Sequence, residues 1–362
     1  MRVDEPGVPP LAFTQMLNSS VIDREAAARF RTVMAREGTD ETALLARDQQ
    51  APVRWFREVY PDLDTAEATQ LGFAFAEHSQ LTSFGPLSVP LVSAGSVAEI
   101  VELLAFLPLI STALHPQFHP SEHGLSIGLT GHTRDPDLDC LVVAYGGSTV
   151  LRLLDLLAGA LPSVTLYLEW PAPASAAEWE QSRGGRVVFD APTSYVQVPQ
   201  DALEEVCRFA DPVAYRVAIA DLRSALKRRH GTISFAERVR LLLEDDPGQA
   251  HSARVADKLS VSTSTLKRRL AEEGTTFRDV RESWLREQAI ARLLDPTTTI
   301  SQVAADLAYS DLSNFSHAFK RWTGLSPREF RHTTGRPPDD LSRASPGSAT
   351  AHTQRSTDRT SS

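Results

Sequence analysis

The strongest constraint on the fold is a repeat. Val255 to Ser262 reads VADKLSVS and Val303 to Ser310 reads VAADLAYS, octets 48 residues apart that share Val, Ala, Leu and Ser at matching positions. Bulky apolar residues at i and i+4 follow each, Leu266 and Leu270 in the first copy, Phe315 and Phe319 in the second, and then a glycine, Gly274 or Gly324. Residues four apart share one face of a helix. Each copy therefore reads as a helix, a tight turn and a second helix packed back on the first, the helix-turn-helix arrangement.

The face opposite the apolar stripe must then point outward. At about 100° per residue it carries Ser264, Lys267, Arg268 and Ala271 in the first copy, with Arg269 on the flank. In the second it carries Ser313, Ser316, His317 and Lys320, flanked by Arg321. A basic run alone is what any solvated helix face looks like. Two faces with matched donors, small residues and no acid are what helices entering a major groove require, with donors for base edges and cations for phosphates. Between the copies, Phe277 to Leu294 reads as one helix with Phe277, Val280, Trp284, Leu285, Ala289 and Leu293 inward. At 1.5 Å per residue it spans about 27 Å, so with the width of each motif the outward helices fit successive major grooves ~34 Å apart.

Here the chain resembles the AraC/XylS family of transcription regulators. Ser301 to Arg331, SQVAADLAYSDLSNFSHAFKRWTGLSPREFR, is similar to that family's signature, including Phe315, Phe319, Lys320, Gly324, Pro327 and Phe330. The resemblance implies seven helices in the C-terminal part, base reading by Ser264, Lys267 and Arg268 in the first motif and Leu312, Ser313 and His317 in the second, and activation with RNA polymerase as a partner. The helical wheel turns Leu312 inward, against that carry-over. Residues 65 to about 230 resemble more loosely the sensor domain of a subgroup whose N-terminal part is described as arabinose-binding-like. That implies effector sensing or dimerisation, and it names no ligand.

Charge is divided unevenly. The net charge is -9, but residues 1 to 230 hold 18 Lys and Arg against 29 Asp and Glu, a balance of -11, while 231 to 332 hold 15 against 14, or +1. A polyanion would thus meet one local surface. Residues 1 to 12 and 333 to 362 are poor in large apolar residues and read as a disordered arm and tail. Residues 13 to 230 read as an α+β domain for sensing or dimerisation: helices at Asp23 to Arg36, Val53 to Tyr60, Thr65 to Gln80, after Ser96 and from Leu138 to Leu161, and strands at 124 to 130, 164 to 170, 186 to 189 and 195 to 198. Asp211-Pro212 opens a connecting helix that ends near Gly231. From there to His332 the chain reads as all-α, with helix starts at Ser234, Ser252, Ser262, Thr276, Thr299, Asp311 and Ser326.

Other chemistries are poorly supplied. His115, His119, His123 and Glu122 have a helical ligand spacing, but Pro116 and Pro120 break that helix, leaving a solvated loop and no expected metal. Cys140 and Cys207 sit in apolar patterns and read as packing residues. The AraC-type DNA alkyl-repair proteins need more cysteines than two, and no nucleophile-elbow, phosphate-loop or zinc-protease motif occurs, so no catalytic residue, enzyme activity or cofactor is expected. Trp170 and Trp179 could line an effector pocket, though core packing is the more ordinary role. No apolar run reads as long enough to span a bilayer and MRVDEPGVPP is no signal peptide; the expectation is a cytoplasmic protein with no membrane partner. The expected partners are double-stranded DNA, a small-molecule effector and a second copy as homodimer. In the alternative, the N-terminal domain only dimerises or binds a protein.

Overall fold

The computed structural model describes residues 5–47, 49–174, 185–229, 234–245, 251–295 and 297–334. The expected junction near Gly231, the residues beyond 334 and Trp179 lie outside them. An α+β part is followed by an all-helical part, as the patterning predicts.

The described residues open on structure. β1 (Gly7–Val8) pairs antiparallel with β2 (Ala51–Pro52), and α1 (Pro10–Leu17) follows directly. The expected disordered arm over 1 to 12 is therefore wrong for residues 5 to 12. The few apolar residues there find partners the local composition does not reveal: Pro9 and Pro10 are buried, and Val53 N–H donates to Pro6 O at 3.0 Å. α2 (Arg24–Arg36), α3 (Glu41–Ala46) and α4 (Arg54–Val59) complete a helical layer around Phe13, Phe30, Trp55 and Phe56. Asp23, Asp40 and Asp64 each cap a helix by accepting a backbone N–H.

α5 (Thr65–His78) lies along α8 (Pro136–Leu157). The approach is close enough to require Gly72, where an added Cβ would meet Leu141 O at 2.7 Å. α8 has a mean hydropathy of 1.6 over an 18-residue window, long and apolar enough to cross a bilayer, which corrects the expectation that no such run exists. That window is 72% buried, however, and α8 is the central core helix. α6 (Ser88–Ser93) and α7 (Val97–Glu102) precede the sheet. Ser96 caps α7 as expected, but Glu99 reaches back to Gly95 N–H at 2.6 Å.

The five-stranded sheet has the order β3-β4-β7-β5-β6, with β3 Leu114–Ser121, β4 Gly124–Gly131, β5 Thr165–Tyr167, β6 Val187–Val188 and β7 Tyr195–Pro199. All pairings are antiparallel except β5 with β6. Side chains alternate across it. Ile127, Leu129, Leu166, Val196 and Val198 bury one face in the core shared with α8. The register puts His115, Gln117 and His119 of β3 on the other face, beside Ser126, Gly128 and Thr130 of β4.

β3 replaces the expected solvated loop. Its prolines, Pro116 and Pro120, are four residues apart, so their positions lacking N–H share one side of an edge strand, where no ladder bond is lost. Trp170 is 7% exposed and belongs to the core. Cys140 and Cys207 are free, with thiols pushed up to about 12 and about 11 by burial, as packing residues should be. α9 (Gln200–Leu203) leads to α10 (Pro212–Arg229), whose first turn is capped by Asp211.

Candidate nucleic-acid interface

The helical part comprises α11 (Phe235–Asp245), α12 (Ser252–Lys258), α13 (Thr263–Glu272), α14 (Phe277–Leu294), α15 (Ile300–Asp306), α16 (Leu312–Thr323) and α17 (Pro327–Thr334). The repeat in sequence is a repeat in backbone. Ser260 and Ala308, 48 residues apart, both adopt the left-handed region, at φ 55° and 59°. Each turn is closed by the same two bonds: Ser260 to Asp257 O and Val261 to Ala256 O, and Ala308 to Ala305 O and Tyr309 to Ala304 O. Neither position is glycine, so each turn carries some left-handed strain that the packing on both sides sustains.

α13 and α16 pack inward through the expected residues: Leu266, Leu270, Phe315 and Phe319 are all 0% exposed. Ser262 and Asp311 cap them, and Thr276 with Asp279, Thr299 with Gln302 and Ser326 with Glu329 form reciprocal caps. Ser252 caps nothing; α12 starts on it, with His251 in the cap position.

Ser264, Lys267, Arg268, Ser313, His317 and Lys320 are all exposed on these two helices. Arg268 bonds Glu272 one turn on at 2.6 Å, a surface pair that DNA phosphate can displace at little cost. Arg269 is turned aside, its guanidinium 5.2 Å from the centre of the Phe235 ring on α11. Ser316 is half-buried and its hydroxyl donates back to Leu312 O at 2.8 Å. Leu312 is 44% exposed and not inward as the wheel predicts. It is the first residue of α16 and projects past the end of the packed core.

Carboxylates that the sequence reading passed over hold the two motifs on their spacer. Glu282 of α14 accepts from Trp322 Nε1 at 2.8 Å and binds Arg321, and these donors keep it below the usual carboxylate range. Glu273, at the end of α13, accepts the first two backbone N–H groups of α11, from Phe235 at 2.6 Å and Ala236 at 2.8 Å. Nothing local marks either residue, since the partners lie about forty residues away in each case.

The helical part also meets the sheet. α14 lies against β4, and Arg240 of α11 donates to Glu287 of α14 at 3.2 Å, a pair only about one-tenth exposed. Arg240 also donates to His115 Nε2 on β3. Burial, then Arg240 and His132, pull His115 down to about 2; burial, then Arg292, pull His119 down to about 4. Both imidazoles are neutral at neutral pH. His115 and His119, two of the histidines that look like metal ligands in sequence, thus serve an interdomain contact, and among the described residues no three metal-ligating side chains converge.

Comparison with known proteins agrees with both parts. Residues 255–333 match the model of a helix-turn-helix domain, and residues 28–207 match that of the arabinose-binding domain of AraC transcription regulators, N-terminal. The chain belongs to the AraC family of transcription regulators. It is similar to the HTH-type transcriptional regulator VqsM of Pseudomonas aeruginosa, 25% identical over 280 residues, 72% of this chain and 83% of that one. The HTH-type transcriptional regulator VirS of Mycobacterium tuberculosis is 38% identical over 126 residues, 34% of this chain and 36% of the relative. A crystal structure of the transcriptional regulator CdpR from Pseudomonas aeruginosa aligns with 86% of this chain and 99% of its own, at 23% identity and TM-score 0.41. This AraC-family protein is a DNA-binding regulator and not an enzyme.

Proposed function

We propose that the protein activates transcription by reading one operator through α13 and α16, set in successive major grooves. What carries the reading is that both helices turn donors and small residues outward from a single shared core, with α14 as a spacer of 18 residues. Lys267 and Arg268 are the central readers of the first half-site and Ser313 and His317 of the second. Ser264 leaves room for close approach, while Lys320, with Arg321 once released from Glu282, serves phosphates. Arg269, stacked on Phe235, and Ser316, bonded to its own helix, contribute less.

Arg268→Ala should weaken binding at a cognate site by about 1 to 3 kcal/mol and relax base preference in one half-site. Binding titrations on cognate and scrambled duplexes at matched salt check this. An equal loss on both would reduce Arg268 to a phosphate contact.

A small-molecule effector is favoured by a cavity in the helical layer, lined by Val8, Phe13, Met16, Phe56, Phe75 and Val142 and edged by Tyr145, Ser79 and Gln15. Apolar walls with a few convergent polar groups suit an apolar molecule carrying one hydrogen-bonding end. The space is only about 30 Å³, so the probe must be small. With xenon as probe, dissolved-xenon NMR should show saturable occupancy of the native cavity. Ala12→Leu, which narrows the cavity, should abolish it. Unchanged occupancy in the variant would place the xenon elsewhere and sink this assignment.

A further inference from the structure

Between the outer face of the sheet and α14 lies a second cavity, of about 60 Å³. One water needs roughly 10 to 15 Å³ on this measure, so the space suits a molecule of about four to six non-hydrogen atoms. Its wall is drawn from both parts of the chain: Gln117, His119 and Thr130 on the sheet, Ser194 just before β7, and Ser283 and Arg286 on α14. Gly128 lies at its floor, where an added Cβ would meet nothing closer than Gln117 Cβ at 3.6 Å. The room exists there because no side chain fills it.

One donor in this wall stands without an acceptor. Gln117 Nε2 is buried without a partner, which is costly for an amide N–H. His119 is neutral and so keeps one N–H to offer. The one carboxylate in the wall, Glu287, is engaged by Arg240 at 3.2 Å and by Ser283 at 3.1 Å. Arg286, exposed on α14, brings a guanidinium to the same cleft. Glu169, outside the wall, interacts with Arg286 and is itself raised by burial.

We propose that this cleft binds a small monocarboxylate, seated on Gln117 Nε2 from the sheet and on Arg286 from α14. Such a ligand accepts from the unpartnered Gln117 amide, meets the Arg286 guanidinium and bridges the two domains. Its binding favours the docked arrangement of the sheet and the DNA-binding part over any separated one. The site is distinct from the apolar cavity of the helical layer and stands whether or not that cavity holds an effector.

The test is calorimetric titration of the full chain with sodium acetate, against sodium chloride at equal ionic strength. Saturable binding of one acetate per chain is expected. Gln117→Leu removes the orphan donor, and Gly128→Val fills the floor with a side chain that suits a strand. Each variant should weaken acetate binding at least about tenfold while keeping the far-ultraviolet circular dichroism and cooperative melting of the native chain, which shows that it is folded. Absence of saturable acetate binding overturns the proposal, as does unchanged affinity in both variants. Inorganic phosphate binding as tightly as acetate would equally refute a carboxylate site, since a general anion patch gives that result.

Discussion

Replacing Trp284 by alanine should destabilise the DNA-binding part by about 3 to 5 kcal/mol, the range for deleting a large buried aromatic. Trp284 is 1% exposed, halfway along α14, in the core that also holds Leu266 and Leu270 of one motif and Phe315, Phe319 and Phe330 of the other. Its loss opens a cavity where the two motifs share a wall, and their relative pitch loosens with it. The indole Nε1 is buried and unpartnered. Trp284→Phe should therefore cost much less than Trp284→Ala, because it removes a polar group that nothing satisfies. Denaturant melts of the two variants, with an unchanged midpoint for Trp284→Ala as the refuting outcome, decide whether this residue holds the spacer together.

Acid should separate the two domains. His115 and His119 hold pKa values of about 2 and about 4 when docked, against 6.5 for the solvated imidazole. The docked state thus binds fewer protons than the separated one throughout this interval. Docking is strongest above pH ~6.5 and weakens as pH falls, by no more than about 2 kcal/mol per histidine at pH 5, the limit set by full solvation of the imidazole on separation. The surroundings reinforce the sign: His115 faces Arg240 and His132, His119 faces Arg292, and Glu287 is the carboxylate nearby that already serves Arg240. Protonation of His115 also destroys the acceptor that Arg240 uses. A fluorophore pair across the sheet and α11, followed from pH 7.5 to 5, should lose transfer, and His115→Gln with His119→Gln should flatten the curve. A pH-independent signal in the native chain would show that these imidazoles do not govern docking.

Most of what was local in the sequence could be read from it, Ser252 and Leu312 apart. The octets around Val255 and Val303, the caps at Ser262, Thr276, Thr299 and Asp311, and the inward pairs Leu266–Leu270 and Phe315–Phe319 each depend on residues a few positions apart. β3 escaped because its two prolines read as breakers unless the strand is known to lie at an edge. β1 and β2 are two residues each, too short for alternation to register. The interface was illegible for a different reason: His115 meets Arg240 across 125 residues of chain, and only the sheet register turns His115, Gln117 and His119 to the same side. Among the proposed DNA contacts, chemistry and outward direction were legible, whereas Arg269, Ser316 and Arg321 had alternative partners that no wheel contains.

α8 gives the N-terminal domain its folding behaviour. Leu138, Leu141 and Val142 at its beginning belong to the helical-layer core, while Val143, Ala144, Val150, Leu151 and Leu154 belong to the sheet core. One rod therefore serves as interior for both, and neither layer can be completed while it is missing. The domain should melt as a single cooperative unit, with no half surviving the other. During synthesis the same rod emerges before β5, β6 and β7 exist to cover it, as a greasy stretch fit for a bilayer. Until those strands arrive it is the segment most exposed to self-association, and the yield of soluble protein will follow how quickly it is covered.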